Sequence, residues 1–428
     1  MEHTSILKLY SYILLLFTKF FNNKFVTQWY NLVKKYVAEG TVIKNTDKLD
    51  YNILFIIFLL FVASCYYIFQ AQHLEQYGDG YLLKQILFCI VGFIIMISVA
   101  IFDFDSLKKI HWILYGLGIL ILLGLFIVPD VLAPNIKGAV RWYRLPFIGS
   151  FQPSELMKVF LIISMSSILY SHNRKETMSK FKNDSLLLLK LLATMVPPIL
   201  IFMRQPDMGV IMVTLSIFIS IILVSDIDIK LVLTMILTPV LAIFGFVYLF
   251  FTKHEVLEKY FLNHLEPYQV KRFYGWLMPT EHSDAGYQTI LSMSAIGSGT
   301  MYGREDSLFY LPEAHTDFIF AVIGHTHGFV GTSLIVILYF FLIYRVIMIG
   351  LHCHDKFGSY LCAGVAGMLA FQVFQNIGMN VGLLPVTGFA LPFLSYGGSA
   401  LLASCLAIGL VLSVKYNTKQ YMFQDDDE

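Results

Sequence analysis

Apolar residues run along this chain in long blocks separated by short polar breaks. Blocks of roughly 20 residues fall near 51–70, 81–102, 110–128, 154–171, 185–203, 208–225, 229–252, 316–348, 358–384 and 395–415. Each is long enough to cross a hydrocarbon layer about 30 Å thick as an α-helix. Backbone inside lipid must satisfy its own hydrogen bonds, and helices of this length do so. The pattern predicts an all-α polytopic membrane protein with about ten transmembrane helices. The block at 316–348 exceeds one crossing, so its helix is expected to tilt or to project into the surface layer.

One interval breaks the rhythm. Between the seventh and eighth blocks, residues 253–315 are dense in charge and form a large loop. The first 50 residues carry seven lysines and no arginine, and the loop at 172–184 adds Arg174, Lys175, Lys180 and Lys182. Short basic loops stay in the cytoplasm. The N-terminus is therefore expected inside, and ten crossings return the C-terminus to the same side. Segments 129–153, 253–315 and 385–394 then share the extracytoplasmic face.

This organisation gives a cytoplasmic N-terminal extension (1–48), a transmembrane domain (49–415) and a cytoplasmic acidic tail (416–428) ending in Asp425, Asp426, Asp427 and Glu428. Residues 6–21 are apolar but interrupted by Lys8 and Lys19, and no small-residue cleavage site follows. No cleaved signal is indicated, and residues 1–48 read as an amphipathic helix on the inner leaflet rather than an extra span.

Composition narrows the class further. Hydrophobic residues make up 57% of the chain and charged residues 14%, against about 25% charged in a soluble domain. A net charge of +1 supplies no basic surface for nucleic acid. The five cysteines show no metal or redox spacing, and four lie in apolar blocks, where they pack as small hydrophobes.

Polar candidates gather on the expected outer face, and each has a structural reading beside its chemical one. Ser154 is placed to cap the fourth span after Pro153, with Glu155 and Lys158 one turn apart, either as an internal ion pair or lining a cavity. Arg141 beside Trp142 suits a phosphate headgroup at the interface, or a belt residue with a snorkelling neighbour. The turn Arg204-Gln205-Pro206-Asp207 reads as a hairpin capped by Asp207 or as part of a binding site. Lys271 and Arg272 in the long loop suit a pyrophosphate or anionic lipid heads. The glycines at 297–303 match no mononucleotide motif. Asp317 stands at the mouth of the eighth span, as a helix cap or as a chemical group, with His315 two residues before it.

Taken in order, these motifs resemble a known family. Arg141-Trp142, Gln152-Pro153-Ser154-Glu155 with Lys158, Gln205-Pro206-Asp207, Gly286-Tyr287-Gln288, the run from Leu311 to Phe320, Asn376-Ile377-Gly378 and Leu391 to Ser399 are similar to the SEDS family of bacterial cell-wall proteins, the FtsW, RodA and SpoVE group. The resemblance covers about residues 49–415. It implies a ten-span peptidoglycan glycosyltransferase of the bacterial cytoplasmic membrane that polymerises lipid II beside a class B penicillin-binding protein. It also implies that Asp317 is the essential aspartate. Trp142, Glu155 and Lys158 match family positions in the first outer loop and the fourth span.

Joining two disaccharides requires a base for the acceptor hydroxyl and cations for the departing diphosphate. Asp317 is expected in the first role and Arg141, Lys271 and Arg272 in the second. Gln205, Asp207, His315 and Ser395 complete the expected substrate site. No cofactor is required by this chemistry, although a divalent cation, Mg or Mn, could assist the leaving group; Asp317 with Glu313 is no recognisable metal site.

One departure stands out: where relatives carry two acidic residues, this chain has His325-Thr326-His327-Gly328. Two further functions stay open. A lipid II flippase would need a polar track across the bilayer, for which Lys84, Lys190, Gln372, Gln375, Asn376 and Asn380 are candidates. A non-catalytic activator of a penicillin-binding protein is the other.

Overall fold

The computed structural model describes residues 49–421, apart from 73–79, 136–138, 146–148, 174–179, 226, 265–266, 280, 282 and 305–309. The expected N-terminal helix at 1–48, Arg174 and Lys175 of the basic loop, and the acidic residues at the chain end lie outside the described residues.

Helices dominate, as the apolar blocks predict. In chain order they are α1 (Tyr51–Gln72), α2 (Tyr81–Ile101), α3 (Leu107–Gly124), α4 (Pro153–Asn173), α5 (Lys180–Arg204), α6 (Met208–Leu223) and α7 (Ile229–Thr252). There follow α8 (His254–Tyr260), α9 (Pro267–Leu277), α10 (Ser283–Ser298), α11 (Ile319–Leu351), α12 (Lys356–Asn380) and α13 (Gly398–Tyr421). A two-stranded antiparallel ribbon, β1 (Tyr143–Leu145) and β2 (Gly149–Phe151), precedes α4.

Among the described residues nine helices are long and apolar enough to span a bilayer: α1 to α5, α7, α11, α12 and α13. The remaining expected span, the sixth block at 208–225, corresponds to α6, which is apolar but has 16 residues. That is about 24 Å of helix, short of a full hydrocarbon crossing. The segment expected as a large loop is itself largely helical, containing α8, α9 and α10.

Helix starts follow a local rule. Asp207, Asp228 and Asp355 cap α6, α7 and α12 through their carboxylates. Asp50 does the same for α1, accepting from the Asn52 and Ile53 amides. The expected cap at Ser154 is not formed. Helix α4 already begins at Pro153, whose missing N–H and fixed φ suit a first helical position. Ser154 therefore falls inside the first turn, and its hydroxyl finds no partner among the described residues.

Helices α4 and α12 lie at the centre of the bundle. Met157, Leu161 and Met165 of α4 and Leu361, Val365 and Leu369 of α12 are fully enclosed in one continuous core. Helix α7 is the reverse case, with Leu233, Leu237, Leu241 and Phe244 exposed along its length, as befits a helix solvated by lipid. Its far end packs on the long segment through Phe246 and Phe250 against Phe273 and Tyr274 of α9.

One end of the bundle is closed by ion pairs. Lys108 bridges Asp105 at 2.9 Å and Asp355 at 2.6 Å, and Arg345 pairs with Asp50. The other end carries the candidate site.

Helix α11 has 33 residues and is broken at Gly328, whose φ of 59° and ψ of −153° are non-helical. The chain at 300–304 fills the break. The amides of Phe329 and Val330 donate to the carbonyls of Thr300 and Met301, and the Arg304 amide donates to that of His325. The excess length expected for this span is thus spent on a break, with backbone groups re-satisfied by a neighbouring loop.

Candidate functional site

The loop between α12 and α13 organises the site. It is pinned from beneath by Ser64 of α1, which donates to the Leu394 carbonyl at 2.8 Å, and by Tyr339 of α11, which donates to that of Pro392. Gln375 of α12 holds the Pro385 carbonyl and the Thr387 hydroxyl, each at 3.0 Å. Asn376 donates to the Phe389 carbonyl at 2.6 Å. Polar side chains at the end of a buried helix therefore meet the backbone of an irregular segment, which could not otherwise be buried.

That loop in turn fixes the segment carrying Asp317. Three successive carbonyls are each held by a different donor. The Tyr396 amide donates to His315 at 2.9 Å. The Ser395 hydroxyl donates to Thr316 at 2.6 Å. The side-chain amides of Asn376 and Asn380 donate to Asp317 at 2.9 and 3.1 Å. Helix α11 begins only at Ile319, and Phe318 occupies its cap position, with no side-chain acceptor.

Gly388, at φ +76°, approaches so closely that a Cβ there would lie 3.5 Å from Asp317 Oδ2. The carboxylate thus faces loop backbone at a position suited to glycine.

A second group of charges is buried beside the turn between α5 and α6. Lys158 and Glu155 form an ion pair at 2.8 Å, with the lysine side chain only 1% exposed. Arg141 Nε donates to the Gln205 carbonyl at 2.9 Å and its Nη2 to that of Pro206 at 2.6 Å. Gln152 Nε2 donates to Asp207 Oδ2 at 3.2 Å. Burial pushes the Asp207 carboxyl above its usual range, opposed by the Arg141 charge and the Val210 amide. Gln205 is buried, yet its side-chain nitrogen has no partner among the described residues. Arg141 spends two of five donors on the turn, and its side chain lies 6.0 Å from the Trp142 ring.

The two groups are physically joined. Phe389 lies against Gly209, just after Asp207, where an added Cβ would come within 2.8 Å of its ring. The Gln152 amide donates to Ser399 Oγ at 2.9 Å, tying β2 to the start of α13. The structure therefore gathers Arg141, Glu155, Lys158, Gln205, Asp207, His315, Asp317 and Ser395 around one loop.

Lys271 and Arg272 are exposed on α9. That helix reaches the loop through Trp276, whose indole donates to the Leu383 carbonyl at 3.0 Å. His315 is buried against Tyr81 and Tyr396, with ring centroids at 4.8 and 5.6 Å. Burial lowers its pKa, against the nearby Glu313 charge.

Two parts of the site escaped the sequence reading. Asn376 and Asn380 were candidates for a polar track, yet their amides hold the Asp317 backbone. Their spacing of four on one apolar helix was the available signal. Tyr81 carried no signal, since its partner residues are remote in the chain. The His325 and His327 departure sits at the α11 break: His325 Nδ1 meets Ser298 Oγ at 2.9 Å, and His327 lies edge-on to Tyr66 and Tyr67. No cluster of three or more metal-type ligands occurs among the described residues.

Comparison with known proteins agrees with this architecture. Residues 48–420 match the family described as Cell cycle protein, the FtsW/RodA/SpoVE group. A "Probable peptidoglycan glycosyltransferase FtsW" of Geobacter sp. (strain M18) is 35% identical over 348 residues, covering 79% of this chain and 88% of the relative. "Stage V sporulation protein E" of Bacillus subtilis (strain 168) is 34% identical over 341 residues, covering 77% and 86%.

Among solved structures, a chain of a peptidoglycan synthase complex described for its coordination of polymerization and crosslinking superposes with a TM-score of 0.69. It is 25% identical and covers 87% of this chain and 99% of that one. The rod shape determining protein RodA of Thermus thermophilus shares the fold with a TM-score of 0.59 at 23% identity, covering 86% and 96%. This chain is a multi-pass membrane protein that belongs to the SEDS family of FtsW, RodA and SpoVE.

Proposed function

We propose that this protein is a peptidoglycan glycosyltransferase that polymerises lipid II on the outer face of the bacterial cytoplasmic membrane. Family membership and the names of FtsW relatives at 31–35% identity support the reaction class. The single observation that carries the residue assignment is the fixing of the Asp317 backbone by Asn376, Asn380 and its neighbours' donors. Preorganisation of this kind is what a general base needs, because a small displacement is costly in rate.

In this reading Asp317 accepts the proton of the acceptor sugar hydroxyl. The acceptor oxygen attacks the anomeric carbon of the donor. The bond from that carbon to the diphosphate breaks, and the polyprenyl diphosphate leaves with the electron pair. Cationic and N–H donors offset the charge on the departing group. Arg141 keeps N–H groups beyond the two it spends on the turn, and the buried Gln205 amide points a spare donor in the same region. Lys271 and Arg272 on α9 would add cations from the loop side. Trp142, Glu155, Lys158 and Asp207 shape and charge-balance the site, while His315 and Ser395 hold its backbone. No cluster of three or more metal-type ligands occurs among the described residues to hold a divalent cation, Mg or Mn, and no step is assigned to one.

Both termini lie in the cytoplasm in this assignment, and a class B penicillin-binding protein would cross-link the product. The transport alternative is weakened by the placement of its candidates. Lys84 and Lys190 are exposed rather than buried in a track, and Gln375, Asn376 and Asn380 are engaged with loop backbone.

The test is reconstitution of the full chain with lipid II, with and without a class B penicillin-binding protein, scoring glycan polymer and lipid scrambling in the same vesicles. Polymer is expected. Scrambling without polymer in either arrangement would overturn the assignment in favour of transport.

A further inference from the structure

Beside Asp317 the structure holds a triangle of rings. Tyr81 opens α2, and its ring centroid lies 4.8 Å from that of His315 and 4.9 Å from that of Tyr396. His315 and Tyr396 are 5.6 Å apart. Only the imidazole is buried; both phenols are half-buried.

An aromatic cluster that serves packing alone normally encloses its rings and gives each phenol a partner. Tyr115, Tyr143 and Tyr339 meet the second condition, each donating to a backbone carbonyl, whether half-buried like the first two or enclosed like Tyr339. Tyr396 does not. Its hydroxyl makes no hydrogen bond among the described residues, although its backbone amide is fixed to the His315 carbonyl. The ring is therefore held in place while its polar tip stays available.

The position matters as much as the chemistry. His315 is two residues from Asp317, and two residues of extended chain span at most about 7 Å. The triangle is thus carried on the same short segment as the carboxylate, its imidazole two residues away in the chain. A sugar presents an apolar C–H face and a hydroxylated rim, which suits a half-exposed aromatic surface with a free phenol at its edge. The surface offers little attraction to a diphosphate, since it carries no fixed cation and burial disfavours the charged form of the imidazole. Anion-seeking donors, Arg141 and Gln205, belong to the other half of the site.

We propose that Tyr81, His315 and Tyr396 form an aromatic subsite that takes an N-acetylhexosamine ring of the acceptor glycan and presents its attacking hydroxyl to Asp317. The inference rests on Asp317 being the base, and it assigns the two ends of the site to different substrates: acceptor sugar on the rings, donor diphosphate at the turn.

The experiment varies lipid II as acceptor at a saturating short prenyl-linked glycan donor, using the full chain and the variants Y81L, Y396L, Y396F and D317N. Loss of a ring in Y81L or Y396L should raise the acceptor KM about tenfold with a smaller change in kcat, and Y396F should recover most of that loss. Acceptor KM values within twofold of wild type in both leucine variants would overturn the subsite while leaving the base intact. Polymerisation by D317N at the wild-type rate would instead overturn the underlying reading.

If a leucine variant does not fold, saturation-transfer NMR on the wild-type protein decides the matter, with a soluble N-acetylhexosamine disaccharide as probe. Magnetisation passing from irradiated aromatic protons to the sugar ring protons supports the subsite, and its absence at millimolar probe overturns it.

Discussion

The side-chain amide of Asn376 donates to the backbone carbonyl of Asp317 at 2.9 Å, and the same nitrogen reaches the carbonyl of Phe389 at 2.6 Å. One buried side chain thereby sets the distance between the carboxylate-bearing segment and the loop opposite it. Replacing Asn376 with alanine strips the buried Phe389 carbonyl of its donor, at about 1–3 kcal/mol, and leaves the Asp317 carbonyl held by Asn380 alone. Glycan synthesis should fall more than stability does, because Asp317 is released from its position. Polymerisation assays beside thermal unfolding of N376A measure both effects. Unchanged synthesis would detach Asn376 from the chemistry.

Lys158 and Glu155 make a different prediction. Removing one partner of a pair this deeply enclosed strands the other charge, at a cost of about 3–5 kcal/mol. K158M and E155Q should each unfold at markedly lower temperature. The double variant should be less damaged than the sum of the two, and a double-mutant cycle on unfolding midpoints reads that coupling. Strict additivity would argue against a coupled buried pair.

Glycine at position 388 combines a left-handed backbone with close approach to Asp317 Oδ2. In G388A the left-handed backbone costs about 1–2 kcal/mol, and its relaxation shifts the loop that the carboxylate touches. Turnover should drop while assembly of the bundle persists. Full activity in G388A would show that the loop is slacker than its contacts imply.

His315 predicts a pH effect on stability. Its folded-state pKa is depressed by burial below the ordinary 6.5, so the unfolded chain binds the extra proton first. Stability contributed by the neutral ring is complete above about pH 6.5 and declines as pH falls toward the folded value. Wild-type unfolding midpoints should therefore drop between neutral and mildly acidic pH by more than those of H315Q. Parallel curves for the two proteins would contradict the assignment.

Much of the architecture was legible because lipid imposes a length on every spanning helix. The apolar blocks at 51–70, 81–102 and 229–252 correspond closely to α1, α2 and α7. The aspartate cap at 207 follows from local chemistry alone. The failures have physical causes. Ser154 suits a cap by residue type, but Pro153 itself starts the helix. The break at Gly328 was hidden because its freed backbone groups are satisfied by residues 300–304, which adjacent sequence does not announce. Asn376 and Asn380 looked like a transport path, since a sequence gives the cost of a buried amide but not the identity of its acceptor. The Tyr81, His315 and Tyr396 contact joins three remote segments, and only the folded chain shows it.

The central claim is that Asp317 takes the acceptor proton. Its most direct test is the D317N substitution, which preserves shape and removes the base. Purified D317N, reconstituted with lipid II, should keep the wild-type unfolding midpoint and lose glycan polymerisation by at least about 100-fold. Polymer formed by D317N at the wild-type rate would contradict the account.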